Sequence, residues 1–127
     1  MTKTKKTLST LLLPLFVAGC TSISNLTPSQ YPRNSTGYYR VEAAWHTRQQ
    51  TIRPDSITAA VKVGPESYDM GRIPVVTDRW ETFIPVPADK DVIYYHYKFD
   101  FLDNAFGAPR ADSLMSPEYK LQITGPK

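Results

Sequence analysis

A single cysteine, Cys20, has the most distinctive chemistry in this sequence of 127 residues. Its thiolate would be the one strongly nucleophilic sulfur of the chain, and the thiolate is the reactive form of cysteine. The residues in front of it are Val17-Ala18-Gly19. The small side chains of Ala18 and Gly19 would let the extended backbone enter the narrow substrate cleft of a peptidase. Residue type and spacing together make Cys20 the first candidate for a functional residue.

The segment that ends at Cys20 has the organisation of a secretory signal. Met1–Lys6 is short and basic, and Leu8–Val17 is apolar over about ten residues, or ~15 Å as a helix. This is half of the ~30 Å hydrocarbon core, so the segment is too short for a permanent span and typical of a signal peptide. With Val17-Ala18-Gly19-Cys20 at its end, it resembles the lipobox of bacterial lipoproteins.

This resemblance implies that residues 1–19 are a lipoprotein signal peptide and that Cys20 receives a diacylglyceryl group on sulfur and an acyl group on its new amine. Two or three chains hold a protein on a bilayer far more firmly than one, at ~0.8 kcal/mol per buried CH₂. An Asp after the cysteine would imply the inner membrane in enteric lipoproteins, so Thr21 favours the outer membrane, facing the periplasm. The alternative is an ordinary cysteine, which would leave an unpaired thiol in an oxidising compartment.

Other residues that could act in catalysis are few. The two histidines, His46 and His96, lie in no metal-spaced cluster, and the sequence has no hydrolase or phosphate-loop motif. With Cys20 consumed by lipid, no thiol nucleophile remains. We therefore expect a protein that is not an enzyme and that uses no metal or cofactor.

Composition and charge exclude two further classes of protein. The excess positive charge lies in the predicted signal, at Lys3, Lys5 and Lys6, and residues 20–127 carry 12 basic and 12 acidic residues. A nucleic-acid-binding domain would have a basic stripe, so we expect no nucleic-acid partner. With 41% apolar and 12% aromatic residues, the chain is also too hydrophobic to be disordered.

The elements that must position any site are predicted to be strands. Apolar and polar residues alternate with period two, the pattern of half-buried strands. The strongest runs begin at Tyr38, Ile57, Trp80, Val92 and Tyr119. Weaker runs at Gln49–Arg53 and Tyr68–Ile73 bring the total to about seven antiparallel strands within residues 37–127. The pattern predicts an all-β, immunoglobulin-like sandwich, with a small closed barrel as the alternative.

Residues 20–36 connect the predicted anchor to this domain. They are rich in Ser, Thr, Asn and Pro and have no hydrophobic period, which predicts a flexible tether. Such a tether would reach about 50 Å when extended and about 22 Å as a coil. In the alternative, its second half packs on the domain, with Leu26, Tyr31 and Pro32 covering an edge strand.

Aromatic residues are the candidates for ligand contact, because Tyr and Trp offer flat, amphipathic surfaces to sugars and proteins. The run Tyr94-Tyr95-His96-Tyr97 places rings on both faces of one strand, so that one face would be core and the other a platform. The long connection Asp103–Pro117 is a second candidate, since long loops are often functional. The candidate ligand-binding residues are Trp45, Tyr94, Phe106 and Arg110. In the alternative, rings such as Trp45 form the core and the loop is a plain connection.

A second resemblance rests on Arg79–Pro87 followed by Val92–Phe101. A Trp before an apolar strand, a Pro-rich turn and Tyr-x-Tyr-Lys-Phe-x-Phe resemble the late strands of starch- and glycogen-binding modules, which are immunoglobulin-like. The resemblance covers about 25 residues and implies glycan binding through exposed aromatic rings.

The sequence as a whole predicts a membrane-anchored, non-catalytic binding or structural module of the bacterial cell envelope. We expect it to be held on the bilayer by Cys20 and to act through contacts with an envelope protein. The alternative is a carbohydrate-binding module.

Overall fold

Nine β-strands form most of the regular structure in the residues that the computed structural model describes, which are 21–105 and 107–127. A single-turn 3₁₀ helix covers Pro54–Ser56. The all-β class predicted from the alternating pattern is confirmed. The strands are β1 (Thr21–Asn25), β2 (Gln30–Pro32), β3 (Tyr38–Thr47), β4 (Thr58–Val63), β5 (Glu66–Arg72), β6 (Arg79–Pro85), β7 (Val92–Asp103), β8 (Arg110–Met115) and β9 (Tyr119–Thr124).

Strand β7 shows why these segments are extended. From Ile93 to Phe101, every second side chain is buried, and the side chains between them are half-buried or exposed. Successive side chains of a strand point to opposite faces, so this alternation buries one face of β7 and solvates the other. β7 pairs with β4 on one side and with β8 and β9 on the other, which makes it the centre of its half of the sheet.

The strand order forces the sheet to curl. The order is β1-β3-β6-β5-β4-β7-β9-β2, with β8 beside β7, so β1 and β2 lie at its two ends. Eight strands laid flat would span ~34 Å at the usual spacing. Asn25 and Gln30 are nevertheless separated by only four residues, which reach at most about 17 Å. The two edges therefore approach each other, and the mixed sheet curls into a half-barrel.

The strand count and pairing differ from the predicted sandwich. Instead of about seven antiparallel strands in two sheets, nine strands form one continuous mixed sheet, in which β2 runs parallel to β9. Gln49–Arg53 is not a strand, and only Ile52 forms a bridge, to Asp103. The predicted connection Asp103–Pro117 contains β8. This edge strand is mostly exposed and lacks the apolar alternation that marks a half-buried strand.

The segment predicted as a flexible tether, residues 20–36, contains two strands from Thr21 onward. β1 pairs antiparallel with the second half of β3, and β2 pairs parallel with β9. The ring of Tyr31 lies 5.6 Å from that of Tyr39, and its hydroxyl donates to the Arg40 carbonyl oxygen at 2.6 Å. The polar residues that suggest a linker instead lie at sheet edges, where backbone pairing does not require an apolar side chain.

The core is a cluster of aromatic rings contributed by opposite walls of the curled sheet. Trp45 of β3 stacks on Phe99 of β7 with ring centroids 5.0 Å apart, and Trp80 of β6 meets Phe99 edge-on at 5.9 Å. None of the three side chains is more than 4% exposed. Rings of this size bury about 150–250 Å² each and dominate the energetics of a small core.

A polar cluster crosses the interior between the N-terminal segment and β7. The Tyr97 hydroxyl donates to Asn25 Oδ1 at 2.6 Å and lies 2.9 Å from Thr27 Oγ1, which accepts from the Glu42 amide at 2.9 Å. Asn25 Nδ2 also donates to the Tyr95 hydroxyl at 3.0 Å. Burial raises the pKa of Tyr97, so its hydroxyl stays protonated and remains a donor.

This cluster fixes the N-terminal segment across the sheet. Asn25 ends β1 and Thr27 follows it, so one short stretch of chain is bonded to β3 through Glu42 and to β7 through Tyr97. Buried polar groups are costly when unpaired, and here they are paired with one another. The segment that joins the two edges of the sheet thus also contributes Asn25 and Thr27 to the hydrogen-bonded cluster inside it.

We expect Tyr97→Phe to lower the free energy of unfolding by about 1–3 kcal/mol, because it leaves the buried Thr27 Oγ1 and the half-buried Asn25 Oδ1 with fewer partners. Tyr94→Phe is the matched control, since it removes the same hydroxyl from a ring that is 52% exposed. Urea denaturation of the purified chain measures both. Equal stability of the two variants would contradict a structural role for the cluster.

Candidate binding groove

An open groove of about 790 Å³ lies where five strands begin or end. β3, β5 and β7 start there, and β4 and β6 end there. Its volume falls within the usual range for small-ligand and peptide sites. The lining residues are Thr36, Gly37, Tyr38, Val63, Gly64, Pro65, Glu66, Tyr68, Pro85, Val86, Pro87, Lys90, Val92, Ile93, Tyr94 and Glu118.

The floor of the groove is the end of the hydrophobic core. Val86 and Ile93 are buried, and Val63 and Tyr68 are partly buried and pack against the core cluster. The rim is aromatic and accessible: the side chains of Tyr38 and Tyr94 are 53% and 52% exposed. An apolar floor beneath exposed tyrosine rings offers contact area with little side-chain entropy to lose on binding.

Hydrogen bonds fix the loop after β6, which forms one wall. The Arg33 guanidinium donates to the carbonyl oxygens of Ala88 and Lys90 and forms an ion pair with Asp91 at 2.6 Å. The Arg33 side chain is only 12% exposed, whereas that of Asp91 is 53% exposed, so the guanidinium is sheltered and its carboxylate partner faces solvent. The Val86 amide donates to the Gly37 carbonyl oxygen at 2.9 Å, which joins this loop to the start of β3.

The opposite wall is the hairpin between β4 and β5. Val63 pairs with Glu66, which leaves a two-residue turn of Gly64 and Pro65. Gly64 has a φ of 56°, and proline fixes φ near −65°, so the φ signs are those of a type II′ turn. Glycine is the residue that adopts the first conformation without strain. The turn holds Pro65 at the groove as a rigid apolar surface.

Three charged side chains in the groove can orient a bound ligand. Glu66, Glu118 and Lys90 line it together with the tyrosines, and neither His46 nor His96 does. A few polar groups around an apolar floor orient a ligand without contributing most of the contact area. The groove can therefore bind an extended, partly apolar ligand through ring contacts. Polar or basic groups of that ligand would lie near the carboxylates of Glu66 and Glu118.

The predicted ligand-binding residues do not converge on one site. Tyr94 lies in the groove, but Trp45 is 1% exposed and packs on Phe99 and Phe101, so its ring is part of the core and unavailable to a ligand at the surface. Arg110 is paired with Asp103 at the other end of β7 from Tyr94. Phe106 and the predicted lipidation residue Cys20 lie outside the described residues.

A second concentration of titratable groups lies on the outer face of β3 and β6. Glu42 and Glu81 lie opposite each other in the register of these strands. Arg40 pairs with both, and Arg79 binds Glu42 at 2.9 Å. The hydrogen bond to Glu81 raises the pKa of Arg40. The arginines offset the repulsion that two facing carboxylates would otherwise cause, so the cluster has a structural explanation.

The groove contains residues that sequence reasoning missed. Tyr38, Tyr68, Pro65 and Pro85 come from four different strand ends or turns, and none of these local patterns indicates that they meet. The Gly-Pro dipeptide at positions 64 and 65 is typical of a turn, and this is the local signal that could have placed Val63 and Glu66 side by side. The rest requires the strand order.

No family model matches the chain, and no curated protein matches it significantly. Within residues 21–105 and 107–127, no helix has the length and apolar character of a membrane span. The same residues contain no group of three or more His, Cys, Asp or Glu side chains placed to hold a metal ion.

We expect Gly64→Ala to destabilise the chain by about 1–2 kcal/mol, because a side chain in the left-handed region is strained even where space is open. Gly71→Ala is the control: that glycine also has open space around its Cβ position, but its φ is not in the left-handed region. Thermal or urea unfolding of both variants checks the difference. A loss for Gly64→Ala no larger than for Gly71→Ala would contradict the assigned turn.

Proposed function

We propose that this protein is a lipid-anchored, non-catalytic binding module of the bacterial cell envelope, which presents the groove to a protein partner. The anchor is Cys20, acylated after removal of residues 1–19, and the expected location is the outer membrane, facing the periplasm. The lipobox-like Val17-Ala18-Gly19-Cys20 supports the anchor. No cofactor is part of this proposal.

One observation supports the orientation of the module. β1 begins at Thr21, the residue directly after Cys20, and Thr21 pairs with Thr47 at the end of β3. The groove lies at the beginning of β3, at Tyr38. Ten residues of strand separate the two ends, which is ~30 Å. A chain anchored at Cys20 would therefore hold the groove away from the membrane, where an envelope protein can reach it.

The shape and lining of the groove favour an extended segment of a protein as the ligand. The groove is open, and three tyrosines and three prolines line it. Aromatic-lined grooves of this kind bind extended peptides, including those in the polyproline conformation.

Carbohydrate binding is the second candidate, and the tyrosines favour it for a specific reason. Tyr38 and Tyr94 are both about half exposed at the groove, and exposed rings can stack on sugars. The resemblance of Arg79–Pro87 and Val92–Phe101 to starch- and glycogen-binding modules supports the same proposal. This resemblance would also imply an immunoglobulin-like layering, with β3 and β6 facing β7 across the core.

Photocrosslinking in cells tests the proposed function. Tyr94 is replaced by p-benzoylphenylalanine in the full chain, and Asp112, exposed on β8 near the opposite end, is replaced in a control. We expect a protein adduct of one defined mass from position 94 and none from position 112. Adding Tyr38→Ala should reduce that adduct several-fold, because it removes half of the aromatic rim.

Three outcomes count against parts of this proposal. The same adducts from positions 94 and 112 would contradict the groove as the contact site. An adduct at position 94 that contains glycan alone would replace the protein partner with carbohydrate. Mass spectrometry of the purified chain, showing an intact Met1 and an unmodified Cys20 thiol, would contradict the lipid anchor, for which Cys20→Ala is the matched unprocessed control.

A further inference from the structure

The end of the molecule opposite the groove has features that the proposed function does not use. Here β1 and β6 begin and β3 and β5 end, and we call it the anchor end, defined by Thr21, Thr47, Arg72 and Arg79. The loop between β5 and β6, residues 73–78, projects from it. This loop contains the most exposed apolar side chain among the large hydrophobic residues that the structure describes.

The tip of this loop exposes two adjacent valines. Val75 is fully exposed and Val76 is 43% exposed. Val75 also has a φ of 71°, a conformation that is strongly disfavoured for a β-branched residue. Neither the strain nor the exposure is offset by packing within the described chain, since the side chain buries nothing. Backbone strain is concentrated at functional sites, so a strained and fully exposed apolar residue is a candidate contact point.

Both ends of the loop are held by contacts with core strands, which fixes the position from which its tip projects. The Ile73 amide donates to the Arg79 carbonyl oxygen at 2.9 Å, and the Trp45 amide donates to the Asp78 carbonyl oxygen at 2.9 Å. The Arg72 guanidinium lies over the Trp80 ring at 4.4 Å. These contacts connect both ends of the loop to core strands.

The loop lies close to the predicted point of lipid attachment. β6 and β1 flank β3 on its two sides, so they are ~10 Å apart laterally. Along β3, Arg79 pairs with Ala44 and Thr21 pairs with Thr47. The start of β6 is therefore three residues short of the start of β1 along the strand direction. The three residues from Arg79 to Val76 can span the same ~10 Å. The valine tip can thus reach the level at which the chain leaves β1 toward Cys20.

The charge around the tip indicates an apolar rather than an electrostatic contact. Arginines and aspartates are both present at this end in nearly equal number. They are Arg48, Arg53, Arg72, Arg79, Arg110, Asp55, Asp78, Asp103 and Asp112. Arg53 lies 3.8 Å from Asp55, and Arg79 is paired with Glu42. A surface with such balanced charge gains little from anionic lipid headgroups.

We propose that loop 73–78 inserts Val75 and Val76 into the interfacial region of the bilayer that holds the acylated Cys20. The inference rests on the lipid anchor of the proposed function. The bilayer is the occupant because the chain leaves the sheet toward Cys20 at this end, with no residues between Cys20 and β1. Two contacts, the acyl chains and the valine tip, fix the orientation of the domain and keep the groove pointing away from the membrane.

The test uses the lipidated full-length protein, whose mass is determined first. Once the Cys20 sulfur is acylated, the sequence has no other thiol, so Val75→Cys gives a unique site for an environment-sensitive fluorophore. The matched control is Asp89→Cys, exposed in the loop after β6 at the groove end. Both proteins are reconstituted into phosphatidylcholine vesicles that contain doxyl-labelled lipid, with and without phosphatidylglycerol.

We expect the label at position 75 to be quenched several-fold more strongly than the label at position 89, to the same extent in both lipid mixtures. Adding Val76→Asp should remove most of that difference. Equal quenching at the two positions in a lipidated protein would overturn this inference and leave the anchor intact. Quenching that requires phosphatidylglycerol would also overturn it. An unprocessed chain with a free thiol would overturn both the inference and the proposed anchor.

Discussion

The hydrogen bonds of Asn25 and Thr27 to Tyr97 are the interaction on which the arrangement of this protein depends. They hold the N-terminal segment across the interior of the sheet. In this segment, only four residues connect β1, which pairs with β3, to β2, which pairs with β9. A sheet with edges joined so closely must curl, and curling brings Trp45 and Trp80 against Phe99. The polar cluster and the aromatic core therefore stabilise the same closed shape.

This closure gives the molecule two different ends. Because β1 starts at Thr21 and pairs with the last residues of β3, the chain leaves the sheet toward Cys20 at one end. The groove forms at the other, where Tyr38, Tyr94 and the Gly64-Pro65 turn meet. A long flexible tether would leave the orientation of the groove undefined. In the proposed anchored form, a strand that begins one residue after the lipid attachment site would limit it.

Sequence patterns predicted the half-buried strands well, because β6, β7 and β9 each bury one face and alternate accordingly. β3 alternates in sequence as well, although its residues from Val41 to Trp45 are buried on both faces. They did not predict β1, β2 or β8, whose positions at sheet edges rest on backbone pairing rather than on apolar alternation. Trp45 was a candidate for both core and ligand contact, and only its packing on Phe99 decides between them. The groove could not be predicted, because its walls come from strand ends that are distant in sequence.

Native-state hydrogen exchange of the full chain tests the central claim, that residues after Cys20 are an integral part of the sheet. The Leu26 amide donates to the Glu42 carbonyl oxygen at 2.9 Å, and the Thr27 amide donates to Asn25 Oδ1 at 3.2 Å. The account predicts that both amides exchange as slowly as those of β3. Exchange of Leu26 and Thr27 at the rate of an unstructured peptide, beside a protected β3, would contradict it.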